Sequence, residues 1–128
     1  MNSQHGSVHV LVIEDDRDVS ALLTRHLTAL GCRVTVADSG EQGLDLTFAD
    51  VPDMVIIDVL LPGIDGREVI RRLRADERTK RCHLVVSSVL DTEDLAALAT
   101  DGLLAKPFRR ATVAQLLASY QRSVAQEE

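Results

Sequence analysis

Apolar and polar positions along the chain form blocks that predict five strands, each followed by a helix. Strands are predicted where short apolar runs occur, many of them β-branched, and helices where apolar residues recur every three to four positions. The predicted strands are residues 8–13, 33–37, 54–57, 84–86 and 103–105, and the predicted helices are 18–30, 39–48, 66–75, 93–99 and 111–124. Five repeats with short connections predict right-handed crossovers and a parallel sheet with helices on both faces.

Residues at the helix ends support these boundaries. Ser39 and Gln42 have the spacing of a capping box, in which each side chain bonds an amide at the start of the helix. Gly31 stands where a helix commonly ends in a left-handed residue. On the apolar face of the first helix, we expect His26 to pack at an edge and to take no part in catalysis.

Polar groups follow four of the predicted strands. They are Glu14-Asp15-Asp16, Asp58, Ser87-Ser88 and Lys106, after the first, third, fourth and fifth strands. In an open parallel sheet the carboxyl ends of the strands lie at one edge, where ligands bind. The sequence therefore predicts that these groups converge.

The same residues also have simpler interpretations. Asp58 follows a buried strand and precedes a Pro-Gly loop, so it could be a helix cap or a loop acid. Asp16 could cap the next helix while Glu14 and Asp15 are solvated. Against this, three adjacent acids repel one another, and a divalent cation would offset that cost. A lysine and a hydroxyl nearby suit the oxygens of a phosphoryl group.

Composition excludes several classes of function. The chain has 128 residues, 45% of them apolar, enough for one domain with an aliphatic core. A net charge of −6 argues against nucleic-acid binding, and acids interrupt the basic segment 71–81. No apolar run approaches the ~18 residues of a membrane span, and no secretory signal is visible. Cys32 and Cys82 are expected to be reduced thiols, as in the cytoplasm.

Together, the motifs Val-Leu-Val-Ile-Glu-Asp-Asp, Asp58-Val-Leu-Leu-Pro-Gly-Ile-Asp-Gly, Ser87-Ser88 and Lys106-Pro-Phe resemble the receiver domain of two-component response regulators. Their order and spacing make the resemblance specific. It implies a flavodoxin-like fold, a doubly wound α/β sheet of order 2-1-3-4-5 with five helices. The receiver would span residues 8–124, between a disordered lead at 1–7 and a tail at 125–128.

The resemblance implies that Asp58 accepts a phosphoryl group in an Mg²⁺-dependent reaction. Asp15 would bind the metal directly, and Glu14 through water. Asp58 and the backbone carbonyl of Leu60 would complete the protein ligands. Asp16 is then the spare acid and an N-cap.

Two further roles follow from the resemblance. Lys106 would contact the phosphoryl group, and the Lys106-Pro107 peptide would be cis. Ser87 would be the switch hydroxyl, with Ser88 as the alternative. We prefer Ser87 because the following residue should be small.

Three departures from the family pattern affect the expected behaviour. Leu103 replaces the usual aromatic residue, which puts the hydroxyl-plus-aromatic switch in question. The segment 87–106 is short, so the fourth helix could be irregular. Leu60 and Val89 are apolar and cannot orient a water toward an acyl phosphate, so self-dephosphorylation should be slow.

The function implied is a phosphoacceptor signalling domain, which promotes only its own phosphorylation and dephosphorylation. Its donor would be a sensor histidine kinase or a histidine phosphotransfer protein. Its target would be a downstream protein or output domain, docking on the face of the fourth helix, fifth strand and fifth helix. The alternatives are a degenerate receiver that acts as a non-phosphorylated interaction module and, less well supported, a flavin- or nucleotide-binding protein of the same sheet order.

Overall fold

The computed structural model of the chain describes residues 7–89 and 99–127. Its elements, in chain order, are β1 His9–Ile13, α1 Arg17–Ala29, β2 Arg33–Ala37, α2 Gly40–Ala49, β3 Met54–Asp58, α3 Gly66–Ala75, β4 His83–Ser88, β5 Gly102–Ala105 and α4 Arg110–Glu127. The five strands form one sheet in the order β2-β1-β3-β4-β5, with every neighbouring pair parallel. The predicted α/β fold and strand order are confirmed.

The three inner strands are buried on both faces, as their apolar sequences predict. All five residues of β1 and of β3 are buried, and so are all of β4 after His83. By contrast, β2 lies at an edge of the sheet and only its last residue, Ala37, is buried. The central strand β3 therefore ends with Asp58 inside the sheet, between β1 and β4.

Alternate residues of the inner strands supply two separate cores. On one face, Leu11, Ile13 and Ile57 pack with apolar residues of α2 and α3. On the other face, Val10 and Val12 pack with residues of α1 and α4. Fully burying an aliphatic side chain of this size contributes about 1.5–3 kcal/mol. Helices on both faces thus fix the inner strands whose ends carry the polar groups.

Most boundaries differ from the predicted ones by one or two residues. The strand β3 includes Asp58, and β4 extends through Ser87 and Ser88. The last helix runs to Glu127, past the predicted end at Val124. The described residues contain four helices. The remaining predicted helix, 93–99, lies outside the described residues except for Ala99, which is not helical, and residues 1–6 of the predicted lead also lie outside.

The helix-end predictions hold with one refinement. The Asp16 carboxylate accepts hydrogen bonds from the amides of Asp18 and Val19, so it is the N-cap of α1. Ser39 accepts from the Gln42 amide, but the Gln42 side chain accepts from the Asp38 amide, one residue before the cap.

The structure also bears on the expectations of reduced thiols, of a packing role for His26 and of no membrane span. Cys32 and Cys82 are both free and buried. The ring of His26 packs edge-on against Phe108, as expected for a residue at a packing edge. Within the described residues, no helix combines the length and apolar character that crossing a membrane requires.

Candidate functional site

An acidic pair stands at the carboxyl end of β1. The Glu14 amide donates to the Ala37 carbonyl at 3.0 Å, so the ladder between β1 and β2 continues through this residue. Glu14 is buried and its carboxylate accepts a hydrogen bond from the Asp16 amide at 3.2 Å, whereas Asp15 is exposed. The turn into α1 therefore holds one carboxylate inside the fold and the next at the surface.

Asp58 ends the central strand and is only 7% exposed. One of its carboxylate oxygens, Oδ1, accepts a hydrogen bond from the Leu60 amide at 3.0 Å. The following loop returns to the same point, because the Gly66 amide donates to the Val59 carbonyl at 3.0 Å. A Cβ atom on Gly66 would lie 2.5 Å from the carbonyl oxygen of Asp58, so this approach requires glycine.

Lys106 supplies the cation of the site from the end of β5. Its ammonium lies 2.8 Å from Oε1 of Glu14 and 3.1 Å from Oδ2 of Asp58. Its amide donates to the Ser88 carbonyl at 3.0 Å, which anchors the residue to β4. The Lys106-Pro107 peptide is cis, as predicted. Three strands thus bring together Glu14, Asp58 and Lys106, which are far apart in sequence.

The charges in the site are not balanced. The pKa of Glu14 is raised to about 7, mainly by burial and also by the nearby Asp58 carboxylate, against the opposing effects of Lys106 and the Asp16 amide. For Lys106, burial favours the neutral form, but its contacts with Glu14 and Asp58 outweigh burial and the net pKa is raised. One ammonium therefore faces more negative charge than it neutralises.

This donor set fits a divalent cation. Oxygens of Glu14, Asp15 and Asp58 all lie within 4.8 Å of one another. Carboxylate oxygens are the ligands of hard cations such as Mg²⁺, and such an ion would offset the excess negative charge. The carbonyl of Leu60 as a further ligand remains a prediction.

Ser87 pairs with Asp58 in the register of β3 and β4. Its hydroxyl is buried, and among the described residues it has no hydrogen-bond partner. Ser88 is equally buried but does have a partner. A buried hydroxyl without a partner, next to Asp58, is what a switch residue would offer to a group arriving there, so this difference supports the preference for Ser87.

Three exposed apolar residues bear on the departures from the family pattern. Leu60 is 56% exposed and Val89 69% exposed, each two residues beyond a site residue. Leu103, which replaces the expected aromatic residue, is 36% exposed on the edge strand β5.

The start of α2 contacts the loop after Asp58. The Glu41 carboxylate accepts a long hydrogen bond of 3.4 Å from the Ile64 amide. A Cβ atom on Gly40 would lie 2.9 Å from the Ile64 carbonyl oxygen, so this glycine lets the helix approach the loop. A glycine directly after a capping serine is the only sequence signal of this contact.

Comparison with known proteins identifies related sequences. The model of the response regulator receiver domain family matches residues 10–118. The response regulator MprA of Mycolicibacterium vanbaalenii is 38% identical over 103 residues, which are 79% of this chain and 45% of that protein. The transcriptional regulatory protein AfsQ1 of Streptomyces coelicolor is 48% identical over 69 residues, 54% of this chain and 31% of its own length. The chain thus spans less than half of these curated relatives.

Solved structures show the same architecture. The receiver domain of a response regulator from Methylobacillus flagellatus superposes with a TM-score of 0.82 at 25% identity, covering 90% of this chain and 99% of its own. The receiver domain of a sensor histidine kinase from Pseudomonas aeruginosa superposes with a TM-score of 0.80 at 27% identity, covering 91% of this chain and 97% of its own. That second structure holds a magnesium ion coordinated in its active-site cleft.

Proposed function

The chain belongs to the response regulator receiver domain family, and we propose that it is the phosphoacceptor domain of a two-component system, modified on Asp58. Receiver domains are signalling domains and not enzymes in the usual sense, and membership implies a histidine kinase as partner. The observation that carries the proposal is the position of Asp58, a buried carboxylate at the end of the central strand in contact with Lys106.

In the proposed reaction, a carboxylate oxygen of Asp58 attacks the phosphorus of a phosphohistidine. The new P–O bond gives an acyl phosphate, and the P–N bond breaks as the imidazole leaves and takes up a proton. The Leu60 amide holds Oδ1 and the Lys106 ammonium contacts Oδ2, so the carboxylate is fixed before the donor arrives. We propose that Lys106 then binds an oxygen of the transferred group, since its ammonium already lies beside the attacking carboxylate.

Magnesium is the cofactor that the site would take. Asp15 and Asp58 would bind it directly with the Leu60 carbonyl, and Glu14 through water. When bound, the ion supplies positive charge that offsets the charge of the phosphoryl oxygens. The mutual distances of the three carboxylates support this assignment, as does the magnesium-bound receiver domain from Pseudomonas aeruginosa.

Ser87 is the proposed switch residue. Its buried hydroxyl can gain a partner when a phosphoryl group with strong acceptor oxygens is placed on Asp58. A bond made in only one state biases an equilibrium between two conformations that already exists. The Ser87→Ala variant should therefore still be phosphorylated, while phosphorylation no longer strengthens partner binding.

The proposed partners are a sensor histidine kinase or a histidine phosphotransfer protein as donor, and a downstream protein or output domain as target. The target would dock on the face that includes β5 and the last helix. The receiver would span residues 8–124, with 1–7 as a disordered lead and 125–128 as a tail. A cytoplasmic location agrees with two free thiols.

The second candidate function is a degenerate receiver that binds partners without being phosphorylated. The observation in its favour is Leu103, an apolar and partly exposed residue where the family usually has an aromatic one. The intact set of Glu14, Asp15, Asp58 and Lys106 argues against it, because a cluster of charges that includes two buried carboxylates destabilises a fold and serves no purpose in an interaction module.

The two functions are distinguished by intact mass after incubation with Mg²⁺ and acetyl phosphate. The wild type and Asp58→Asn are compared with Asp45→Asn, which changes an exposed carboxylate of α2. One Mg²⁺-dependent phosphoryl adduct on the wild type and on Asp45→Asn, but not on Asp58→Asn, is the expected result. No adduct on any of the folded proteins would favour the degenerate module.

A further inference from the structure

A cleft lies at the amino ends of the strands, opposite to the carboxyl ends that carry the phosphorylation site. It consists of two adjoining hollows of about 290 and 550 Å³, which share Arg81, Cys82, His83 and Ser123 in their walls. His83 begins β4, and Ser87 near its other end pairs with Asp58. At about 3.3 Å per residue, these four steps place the cleft about 13 Å from Asp58 along the strand.

The walls of this cleft, which we call the basal cleft, carry more cations than acids. The cationic side chains are Arg74, Arg78, Lys80 and Arg81, and the carboxylates are those of Asp53 and Asp101. Both acids already have partners. Asp53 accepts from the His9 amide at 2.8 Å, and Asp101 accepts from Arg74 and from the Leu84 amide. Asp76 and Glu77, which lie outside these walls, offset Arg78 and Lys80.

Arg81 is the cation of the basal cleft that has no partner within the described residues. The other three form ion pairs, with Asp101, Asp76 and Glu77. Arg78 binds Asp76 with two parallel hydrogen bonds, whereas Lys80–Glu77 joins two exposed side chains close in sequence. An exposed Lys–Glu pair of this kind adds little stability, so an anion of higher charge can compete for Lys80.

The backbone that carries Arg81 is held in place on both sides. Nη1 of Arg74 donates to the carbonyls of Lys80 and Cys82, each at 2.8 Å. Two residues before Arg81, the buried Thr79 hydroxyl donates to the Leu73 carbonyl at 2.7 Å. A cation on a fixed loop loses less conformational freedom on binding than one on a mobile loop.

We propose that the basal cleft binds a small phosphomonoester, with its dianionic phosphate on Arg81. A guanidinium donates two parallel bonds to phosphate oxygens, and Lys80 can supply further charge. The Ser123 hydroxyl adds a donor on the wall contributed by α4. The ring centroids of His83 and Tyr120 lie 5.1 Å apart, and both rings line the same hollow. They form an aromatic wall for the organic part of the ligand. This site would be independent of Asp58.

The test is an NMR titration of the uniformly labelled chain with glycerol 3-phosphate in Mg²⁺-free buffer, with glycerol as the neutral probe. Saturable shifts are expected for the amides of Arg81, His83 and Ser123, with the amides of Asp58 and Lys106 unchanged. The Arg81→Gln variant should bind at least about tenfold more weakly, the loss expected for one charge-assisted contact. Arg25→Gln, which removes an exposed cation of α1, is the matched control and should bind as the wild type does.

Three results would overturn the proposal. Shifts that grow linearly with concentration would show no site. Equal affinities of Arg81→Gln and Arg25→Gln would remove Arg81 from it, and saturable shifts confined to Asp58 and Lys106 would assign the anion to the phosphorylation site. Amide chemical shifts outside the cleft that are the same in Arg81→Gln as in the wild type show that the variant is folded, so each result can be interpreted.

Discussion

The ammonium of Lys106 lies 3.1 Å from the carboxylate of Asp58, so two residues 48 positions apart in the chain form an ion pair at the end of the sheet. The same ammonium contacts Glu14 at 2.8 Å. This one cation therefore holds the proposed acceptor and one carboxylate of the acidic pair in a fixed relationship.

Replacing Lys106 with Met should slow the phosphorylation of Asp58. The change removes a contact with a charged group, for which losses of about 1.5–3 kcal/mol are usual, equivalent to about tenfold or more in rate. The measurement is the rate of adduct formation with acetyl phosphate at fixed Mg²⁺. Lys80→Met, which changes an exposed lysine paired with Glu77, is the control. Equal rates for the two variants would contradict a role for Lys106 in the reaction.

The Gly66→Ala variant should be destabilised by about 1–3 kcal/mol, as expected for overpacking. Its Cβ would lie 2.5 Å from the Asp58 carbonyl oxygen and 2.8 Å from Cα of Val59, so the strand end must move. Urea unfolding measures the change in the free energy of unfolding. Gly102→Ala is the control, because its Cβ would meet Leu116 at 3.4 Å and Val85 at 3.7 Å, close to ordinary contact distances. A similar stability for the two variants would show that the loop yields freely.

Removing the hydroxyl of Ser87 should leave the unphosphorylated protein as stable as the wild type, or about 1 kcal/mol more stable. A buried polar group without a partner destabilises a fold, and Ser87→Ala removes one. Ser88→Ala should not stabilise, since the Ser88 side chain or backbone already makes an interaction. Urea unfolding of the two variants without Mg²⁺ compares them. A marked loss of stability in Ser87→Ala alone would mean that its hydroxyl is already bonded.

The Asp101 carboxylate should contribute to stability at neutral pH and lose that contribution in acid. Although burial acts in the opposite direction, hydrogen bonds from the Leu84 amide and Arg74 hold the pKa of Asp101 below its ordinary value of 3.8. A lowered folded-state pKa gives stability above the unfolded value that disappears as the pH falls through the folded one.

We therefore expect Asp101→Asn to be less stable than the wild type by about 1 kcal/mol at pH 7, since the side chain is partly exposed. The difference should shrink as the pH falls below 3.8 and through the folded-state pKa of Asp101. Thermal unfolding across this range measures it, with Glu77→Gln, an exposed acid of the same region, as the control. A difference that grows on acidification would have the wrong sign.

Dephosphorylation of Asp58 should be slow without a partner and faster in Leu60→Asn. Leu60 is exposed beside the site but has no group that can orient a water for attack on the acyl phosphate. An amide at this position can orient a water. Positioning of this kind raises a rate by about 10²-fold at the low end of its usual range, so we expect an increase of up to about this size in the dephosphorylation rate. Loss of the adduct is followed by intact mass after the donor is removed, with Val36→Asn on β2 as the control. Rapid loss from the wild type would contradict the first expectation.

The pattern of the sequence by itself determined the fold class, and the family resemblance implied the strand order and the candidate site residues. Strands buried on both faces require long apolar runs, and a parallel sheet places all carboxyl ends at one edge. Asp58 and Lys106 were therefore predicted to meet before any distance was known. The N-cap role of Asp16 was likewise local, because a cap bonds amides only two and three residues away.

Only the tertiary structure decided which groups have partners and which do not. Ser87 and Ser88 are identical in sequence terms, but within residues 7–89 and 99–127 the buried Ser87 hydroxyl has no hydrogen-bond partner, whereas Ser88 makes an interaction. The raised pKa of Glu14 depends on burial and on Asp58, which is 44 residues away. In the sequence, Arg81 is one of several cations in a basic segment, and only the fold shows that it lines a cleft with Ser123. Desolvation and pairing depend on neighbours that are distant in the chain, and local sequence patterns carry little information about them.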